Sequence, residues 1–286
     1  MAIAFVTGTS TGIGAASAIS LARAGHTVFA GMRNPQRPGE LHAAISQESL
    51  GNIHVVQQDV DRDDSVRASL AQAGPIDVLV NNAGIGTMGS VEETPLAEFR
   101  ATMETNFFGA LRCIQAVVPG MRERRRGCII NVTSVAGRIG TAPQGPYCSS
   151  KWALEGLSEC LAQEMKAFGV RVAIVEPGVI ATPIFGKVSP DPAGTHYPHK
   201  RRLNELFRAS LEKPVSPFVV GDKIRDIVDS GTWTLRHPVG PDAAGFLEWR
   251  RSLTDEQWVE WGAMSDDEWV AYVRGTFGLN VSLGMP

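Results

Sequence analysis

The sequence predicts an α/β protein built on one doubly wound parallel sheet in a single domain, with a helical C-terminal extension. Three features point to it. From Ile3 to Val239, short runs of Val, Ile and Leu recur without polar alternation, as in strands covered on both faces. Stretches with helical spacing separate them, the order that builds a parallel sheet. A glycine-rich turn joins the first run to the first helix.

Taken in order, Ile3–Thr7 reads as the first strand and residues 13–24 as the first helix. Further strands are expected at Thr27–Met32, Ile53–Gln57, 76–80, 128–133 and 170–175, with helical stretches between them. After Pro177 a stretch rich in Pro and Gly runs to Pro198, long enough to be functional. A charged helix, a second helix near 222–230 and a last strand at 234–239 follow. In the tail, Thr254-x-x-Gln257 and Ser265-x-x-Glu268 repeat a capping-box pattern, so two short amphipathic helices are predicted. Trp258, Trp261 and Trp269 either pack these helices onto the body or serve a substrate lid or a dimer contact. The division expected is 1–242 for the dinucleotide-binding and catalytic domain, including a substrate loop at about 178–215, and 243–286 for the extension.

Composition narrows the function. With 286 residues, 43% apolar and 20% charged, the chain can bury a large core. Its 27 basic and 30 acidic side chains leave a net charge of -3, which offers no overall attraction to nucleic acid or an anionic membrane. Cys113, Cys128, Cys148 and Cys160 form no CxxC pair, which fits free thiols in a reducing compartment. The N-terminal segment lacks a basic region and leads directly into the glycine-rich turn, and no apolar run reaches membrane-spanning length, so a cytoplasmic location is expected.

The turn Thr7-Gly8-Thr9-Ser10-Thr11-Gly12-Ile13-Gly14 lets a ligand approach the backbone at a helix N-terminus, where unpaired N–H groups favour pyrophosphate. Its spacing differs from the Gly-x-Gly-x-x-Gly fingerprint, so a plain glycine-rich connection is the rival reading. Asn81-Asn82-Ala83-Gly84 follows an apolar strand, at the sheet end where doubly wound folds bind ligands. Tyr147 and Lys151, four apart, share a helix face, and an ammonium near a phenol favours the phenolate. Ser134 ends the preceding strand and Asn106 lies in the helix before it, so four polar groups can converge.

Together with Asp59, Pro177-Gly178 and Thr182, these motifs resemble the short-chain dehydrogenase/reductase family in its classical, single-domain Rossmann-type branch, over roughly residues 3 to 242. The resemblance implies a catalytic set of Asn106, Ser134, Tyr147 and Lys151. Tyr147 would be the general acid in carbonyl reduction and the base in alcohol oxidation. Lys151 would lower the Tyr147 pKa and hold the nicotinamide ribose, Ser134 would donate to the substrate oxygen, and Asn106 would hold a water linked to Lys151. For the cofactor it implies Gly8, Ser10, Gly12, Ile13 and Gly14 near the pyrophosphate and ribose, and Asp59 and Val60 at the adenine. Asn82, Ala83 and Gly84 would lie at the adenosine ribose, and Pro177, Gly178, Val179 and Thr182 beside the nicotinamide. Dimers or tetramers are usual in the family.

At the end of the second strand Met32 and Arg33 stand where NAD-preferring proteins carry an acid. A guanidinium suits phosphate, so NADP(H) is the expected cofactor, with NAD(H) second. Ile139, Thr141, Ile184, Phe185 and Tyr197, with Ser134 and Tyr147, are the candidate substrate residues. They favour a hydrophobic, aromatic or steroid-like carbonyl or alcohol. A non-catalytic NADP(H)-binding regulator on the same fold is the alternative. No metal site is expected: His196 and His199 read as solvent-exposed imidazoles without a third ligand. Cys148 reads as a packing residue.

Overall fold

The computed structural model describes residues 1–187 and 195–283. Residues 188–194 of the expected substrate loop, and the last three of the extension, lie outside the described residues.

Seven strands, β1 (Ile3–Thr7), β2 (Thr27–Met32), β3 (Ile53–Gln57), β4 (Val78–Asn81), β5 (Gly127–Val132), β6 (Val170–Pro177) and β7 (Arg236–Val239), form one parallel sheet in the order β3-β2-β1-β4-β5-β6-β7. The helices are α1 (Gly12–Arg23), α2 (Glu40–Glu48), α3 (Asp63–Ala73), α4 (Leu96–Met103), α5 (Gly109–Arg124), α6 (Gly145–Lys166), α7 (His199–Ser210), α8 (Phe218–Ser230), α9 (Ala243–Ser252), α10 (Asp255–Ala263) and α11 (Asp266–Phe277). Strand order reverses between β1 and β4, so a crevice opens at their C-terminal ends, where such sheets bind ligands.

Side chains alternate between the two helical layers, as a two-residue period requires. Ala4 and Val6 join Ile19 of α1 and Ile224 of α8 in one core, while Phe5 joins Leu79, Ile129 and Met121 in the other. Each fully buried large apolar side chain contributes about 1.5–3 kcal/mol over its exposed state. This two-sided burial explains why the strand sequences lack alternation.

Several elements differ from the sequence reading; β5 and β6 shift by one or two residues at their ends, and four differences are larger or bear on the site. The fourth strand is Val78–Asn81 rather than 76–80: it starts two residues later and runs on to Asn81, which pairs with Asn131 of β5. The last strand starts at Arg236, not 234. Asn106 sits in a π-helical turn, Glu104–Phe108, between α4 and α5 rather than in a regular helix. The tail carries three helices, not two: α9 has no capping box to announce it, whereas Thr254 and Ser265 make the predicted boxes of α10 and α11.

The extension packs on α7. Trp269, Val273 and Val281 form a separate core with Leu206 and Ala209 of α7. Arg202 Nε donates to Asp266 at 2.8 Å, Arg201 pairs with the same carboxylate, and the His199 ring meets the Gly262 carbonyl at 3.0 Å. His199 is therefore a half-buried contact to the tail, not the solvent-exposed imidazole expected. Trp249 stands edge-on to Trp258 and Trp261, which stack on each other at 5.1 Å.

Candidate active site

The glycine-rich turn is built from three neighbours pressed together. Gly8 has φ +71, and a Cβ there would stand 2.7 Å from Ala83 Cα. A Cβ on Gly14 would stand 2.2 Å from the Gly8 carbonyl oxygen and 2.5 Å from Asn82 Nδ2. Only glycine fits at both positions. Asn82 clamps this turn: Nδ2 donates to the Thr7 and Gly8 carbonyls at 3.0 and 3.2 Å. Thr7 Oγ1 in turn accepts the Asn82 and Ala83 N–H groups, both at 3.0 Å. Thr7 was not singled out by its sequence, although a threonine closing an apolar strand was the available signal.

No side chain of the N-cap residue Thr11 satisfies the first turn of α1, which leaves N–H groups of Gly12, Ile13 and Gly14 for other acceptors. One acceptor comes from the protein: Glu40 Oε2, at the start of α2, accepts the Gly12 N–H at 2.9 Å. Ser10, in the turn, and Arg33, one residue past β2, are both exposed. Asp59 is half-buried and caps its own turn, accepting the Asp61 N–H, and Val60 packs against the start of α5, where a Cβ on Gly109 would collide with it. This tight glycine cradle with an uncapped helix start fits a dinucleotide phosphate group.

The loop after β6 roofs the crevice. A Cβ on Gly12 would come within 3.2 Å of Thr182, and one on Gly86 within 3.1 Å of Ile184. Asp242 fixes the loop's path: its Oδ2 accepts the Val179 N–H at 2.8 Å, and its Oδ1 would lie 2.1 Å from a Cβ at Gly178. Pro177 and Val179 are buried against this carboxylate, whose pKa burial raises. Asp242 escaped sequence reading because its partner lies 63 residues away.

Asn106, Ser134, Tyr147 and Lys151 do come together. Asn106 Oδ1 accepts the Ile85 N–H at 2.8 Å, and its Nδ2 donates to the Ile85 carbonyl and to Ser150 Oγ, both at 3.0 Å. It thus ties the loop after β4 to α6. A Cβ on Gly84 would lie 3.2 Å from Asn106 Oδ1 and 3.7 Å from Lys151 Nζ, which places all three around one point. Ser134 is extended at the end of β5; its Oγ accepts the Ala136 N–H at 3.1 Å and lies 3.5 Å from the Pro177 carbonyl, near enough to Tyr147 to pull the phenol's pKa down. Lys151 Nζ donates to the Val132 carbonyl at 2.9 Å.

Burial dominates the electrostatics. It pushes the Tyr147 phenol up to about 12, against the opposing pull of the Ser134 hydrogen bond, and brings Lys151 down to about 8 against the attraction of Glu155. Desolvation outweighs the lowering of Tyr147 expected from a neighbouring ammonium.

The expected substrate residues make contacts of several kinds. Ile139 is buried, and its carbonyl accepts the Cys148 thiol at 3.6 Å, so Cys148 packs as expected. Thr141 is half-buried at the turn before α6. Phe185 meets Phe207 of α7 edge-on at 4.9 Å. Tyr197 donates its hydroxyl to Glu92 at 2.5 Å, placing it at the rim near the loop after β4. No group of three or more His, Cys, Asp or Glu able to hold a metal occurs among the described residues. No described helix is long and apolar enough to cross a membrane.

A family model described as short chain dehydrogenase matches residues 2–193. Retinol dehydrogenase 8 of Bos taurus is 39% identical over 198 residues, 68% of this chain; the chain covers 64% of that relative's length. A short-chain dehydrogenase of known structure from Streptomyces avermitilis superposes with a TM-score of 0.77 at 33% identity, covering 96% of this chain and 98% of that one. An alcohol dehydrogenase from the archaeon Thermococcus sibiricus, solved in complex with 5-hydroxy-NADP, does so with a TM-score of 0.68 at 25% identity, over 83% of this chain and 95% of that one.

Proposed function

Because the chain belongs to the short-chain dehydrogenase family, we propose that it is an oxidoreductase interconverting a carbonyl and an alcohol. The observation that carries this reading is the convergence of Ser134, Tyr147 and Lys151, with Asn106, beside a glycine cradle on the same sheet end. A bound nicotinamide cofactor supplies or takes up the hydride.

In reduction the Tyr147 hydroxyl gives its proton to the substrate oxygen, and in oxidation the phenolate accepts it. The Ser134 hydroxyl donates to the same oxygen as negative charge develops there. Lys151 holds a positive charge behind the phenol, and Asn106 fixes the loop and helix between which Lys151 lies. A non-catalytic regulator would have no use for Asn106, Ser134, Tyr147 and Lys151 gathered at one end of the sheet.

NADP(H) is the preferred cofactor in this reading: the exposed Arg33 offers a guanidinium at the end of β2, and a structural neighbour was solved with an NADP analogue. Ile139, Ile184 and Phe185 give an apolar wall, which favours a hydrophobic carbonyl or alcohol; the similarity to a retinol dehydrogenase points the same way. Residues 1–242 form the catalytic unit and 243–286 the extension, whose described part, 243–283, packs on it. The protein acts as a cytoplasmic homodimer or homotetramer.

Nicotinamide absorbance followed with NADPH and NADH against steroid, retinoid, aromatic and small aliphatic carbonyls tests the reading. Turnover that disappears in Tyr147→Phe supports it. Tight NADPH binding without turnover across the whole panel favours the regulator.

A further inference from the structure

Glu155 lies one turn beyond Lys151 on α6, on the same helix face. It is 4% exposed, and the chemistry above does not use it. The Thr133 hydroxyl lies 2.6 Å from its Oε1 and 3.1 Å from the Val175 carbonyl. Arg236 on β7 donates to its Oε2 through Nε and Nη2 at 3.2 and 3.1 Å. Behind it stands a second buried carboxylate, Glu176 on β6. Arg138 Nη1 lies 3.3 Å and Arg236 Nε 3.4 Å from the same Glu176 oxygen. Two buried acids thus face two arginines directly beneath the reacting groups.

The contacts of Glu155 reach both sides of that group. Thr133 immediately precedes Ser134, and Val132, one residue earlier, supplies the carbonyl that anchors Lys151 Nζ. The side chain also presses on the turn after Ser134: a Cβ on Gly137 would stand 3.0 Å from Glu155 Cγ.

We propose that Glu155 is a positioning residue: it holds the Ser134 loop through Thr133 and keeps Lys151 in its ammonium form from beneath, a role that rests on the carbonyl chemistry proposed above. An ammonium buried without a nearby anion sheds its proton. Glu155 opposes that tendency, whereas burial drives the Lys151 pKa down to about 8. Burial raises the Glu155 pKa on balance, and the Thr133 hydroxyl and the Arg236 and Arg138 guanidiniums oppose that rise. Lys151 faces Tyr147 and Glu155 on its own helix. Facing Glu155 are Arg236 on β7, Glu176 on β6, Arg138 after β5 and Glu159 on α6, the last paired with Arg236.

A lysine 13Cε NMR titration of the full chain, with Lys151 assigned through Lys151→Arg, reads the effect without turnover. Glu155→Gln removes the charge and keeps the shape; its Lys151 midpoint falls by about one unit. Glu155→Asp restores most of the midpoint, and Glu155→Met is a second neutral replacement should the amide not fold. The alkaline limb of kcat/KM for carbonyl reduction moves down in pH with the midpoint, whereas a purely structural defect lowers kcat alike at every pH. A Lys151 midpoint unchanged in a folded neutral variant overturns the inference. Wild-type protein that turns over no carbonyl overturns the proposed function instead, and the NMR midpoint still decides the role of Glu155.

Discussion

Lys151 Nζ lies 5.7 Å from the centre of the Tyr147 ring and is anchored on the Val132 carbonyl, so a buried ammonium stands beside a half-buried phenol. The Lys151 pKa near 8 is below its ordinary 10.5, so between those values the unfolded chain holds a proton that the folded chain has released. Stability at this group therefore rises with pH from about 8 toward 10.5, the reverse of an ion-paired lysine. Comparing wild type with Lys151→Met by thermal unfolding should show the wild type gaining ground between pH 8 and 10. A difference that narrows over that range contradicts the burial argument.

Tyr147→Phe removes the proton donor and leaves the glycine cradle untouched. Carbonyl reduction should drop about 100-fold to 10,000-fold, with NADPH affinity within a few-fold of wild type by fluorescence titration. Equal loss of binding and turnover would remove Tyr147 from the proton-transfer role.

At the cofactor's adenosine end, Arg33 and Glu40 should pull in opposite directions. Arg33→Ala should weaken NADPH about 10-fold to 100-fold and leave NADH nearly unchanged, the worth of one charge-assisted hydrogen bond. Glu40→Gln removes an anion from the Gly12 N–H and should tighten NADPH more than NADH. Isothermal titration with both cofactors reads the two ratios; equal effects on NADH and NADPH count against an NADP preference.

Gly14→Ala places a methyl 2.2 Å from the Gly8 carbonyl oxygen, which the turn relieves only by moving. The expected cost is about 1–3 kcal/mol in urea unfolding, with cofactor binding lost. Wild-type stability in this variant would show that the turn is less tightly closed than its contacts indicate.

Asp266→Ala leaves Arg202, 6% exposed, without its carboxylate, and loosens α11 from α7. A loss of about 2 kcal/mol is expected. KM for a hydrophobic carbonyl should rise while NADPH affinity stays constant, because α7 carries Phe207 against Phe185. A change in cofactor affinity alone would detach the extension from substrate binding.

The sequence by itself determined that the fold is a doubly wound parallel sheet, most of its strands and helices along the chain, and, through its resemblance to the family, the candidate catalytic group. These depend on local information: apolar runs without alternation, glycines where only glycine fits, Tyr147 and Lys151 one helical turn apart, and capping boxes at Thr254 and Ser265. Tertiary structure alone decided that Asn82 clamps the glycine turn, that Asp242 steers the loop after β6, and that Glu155, Arg236, Glu176 and Arg138 meet beneath Lys151. It also decided that α9 joins α10 and α11, and that the extension grips α7 through Asp266 and Trp269. The physical reason is separation along the chain. Asp242 lies 63 residues from Val179 and Arg236 81 from Glu155, and a single acidic or basic side chain carries no periodicity to mark its distant partner. Only folding brings these groups into the low-dielectric interior where their pairing governs the site.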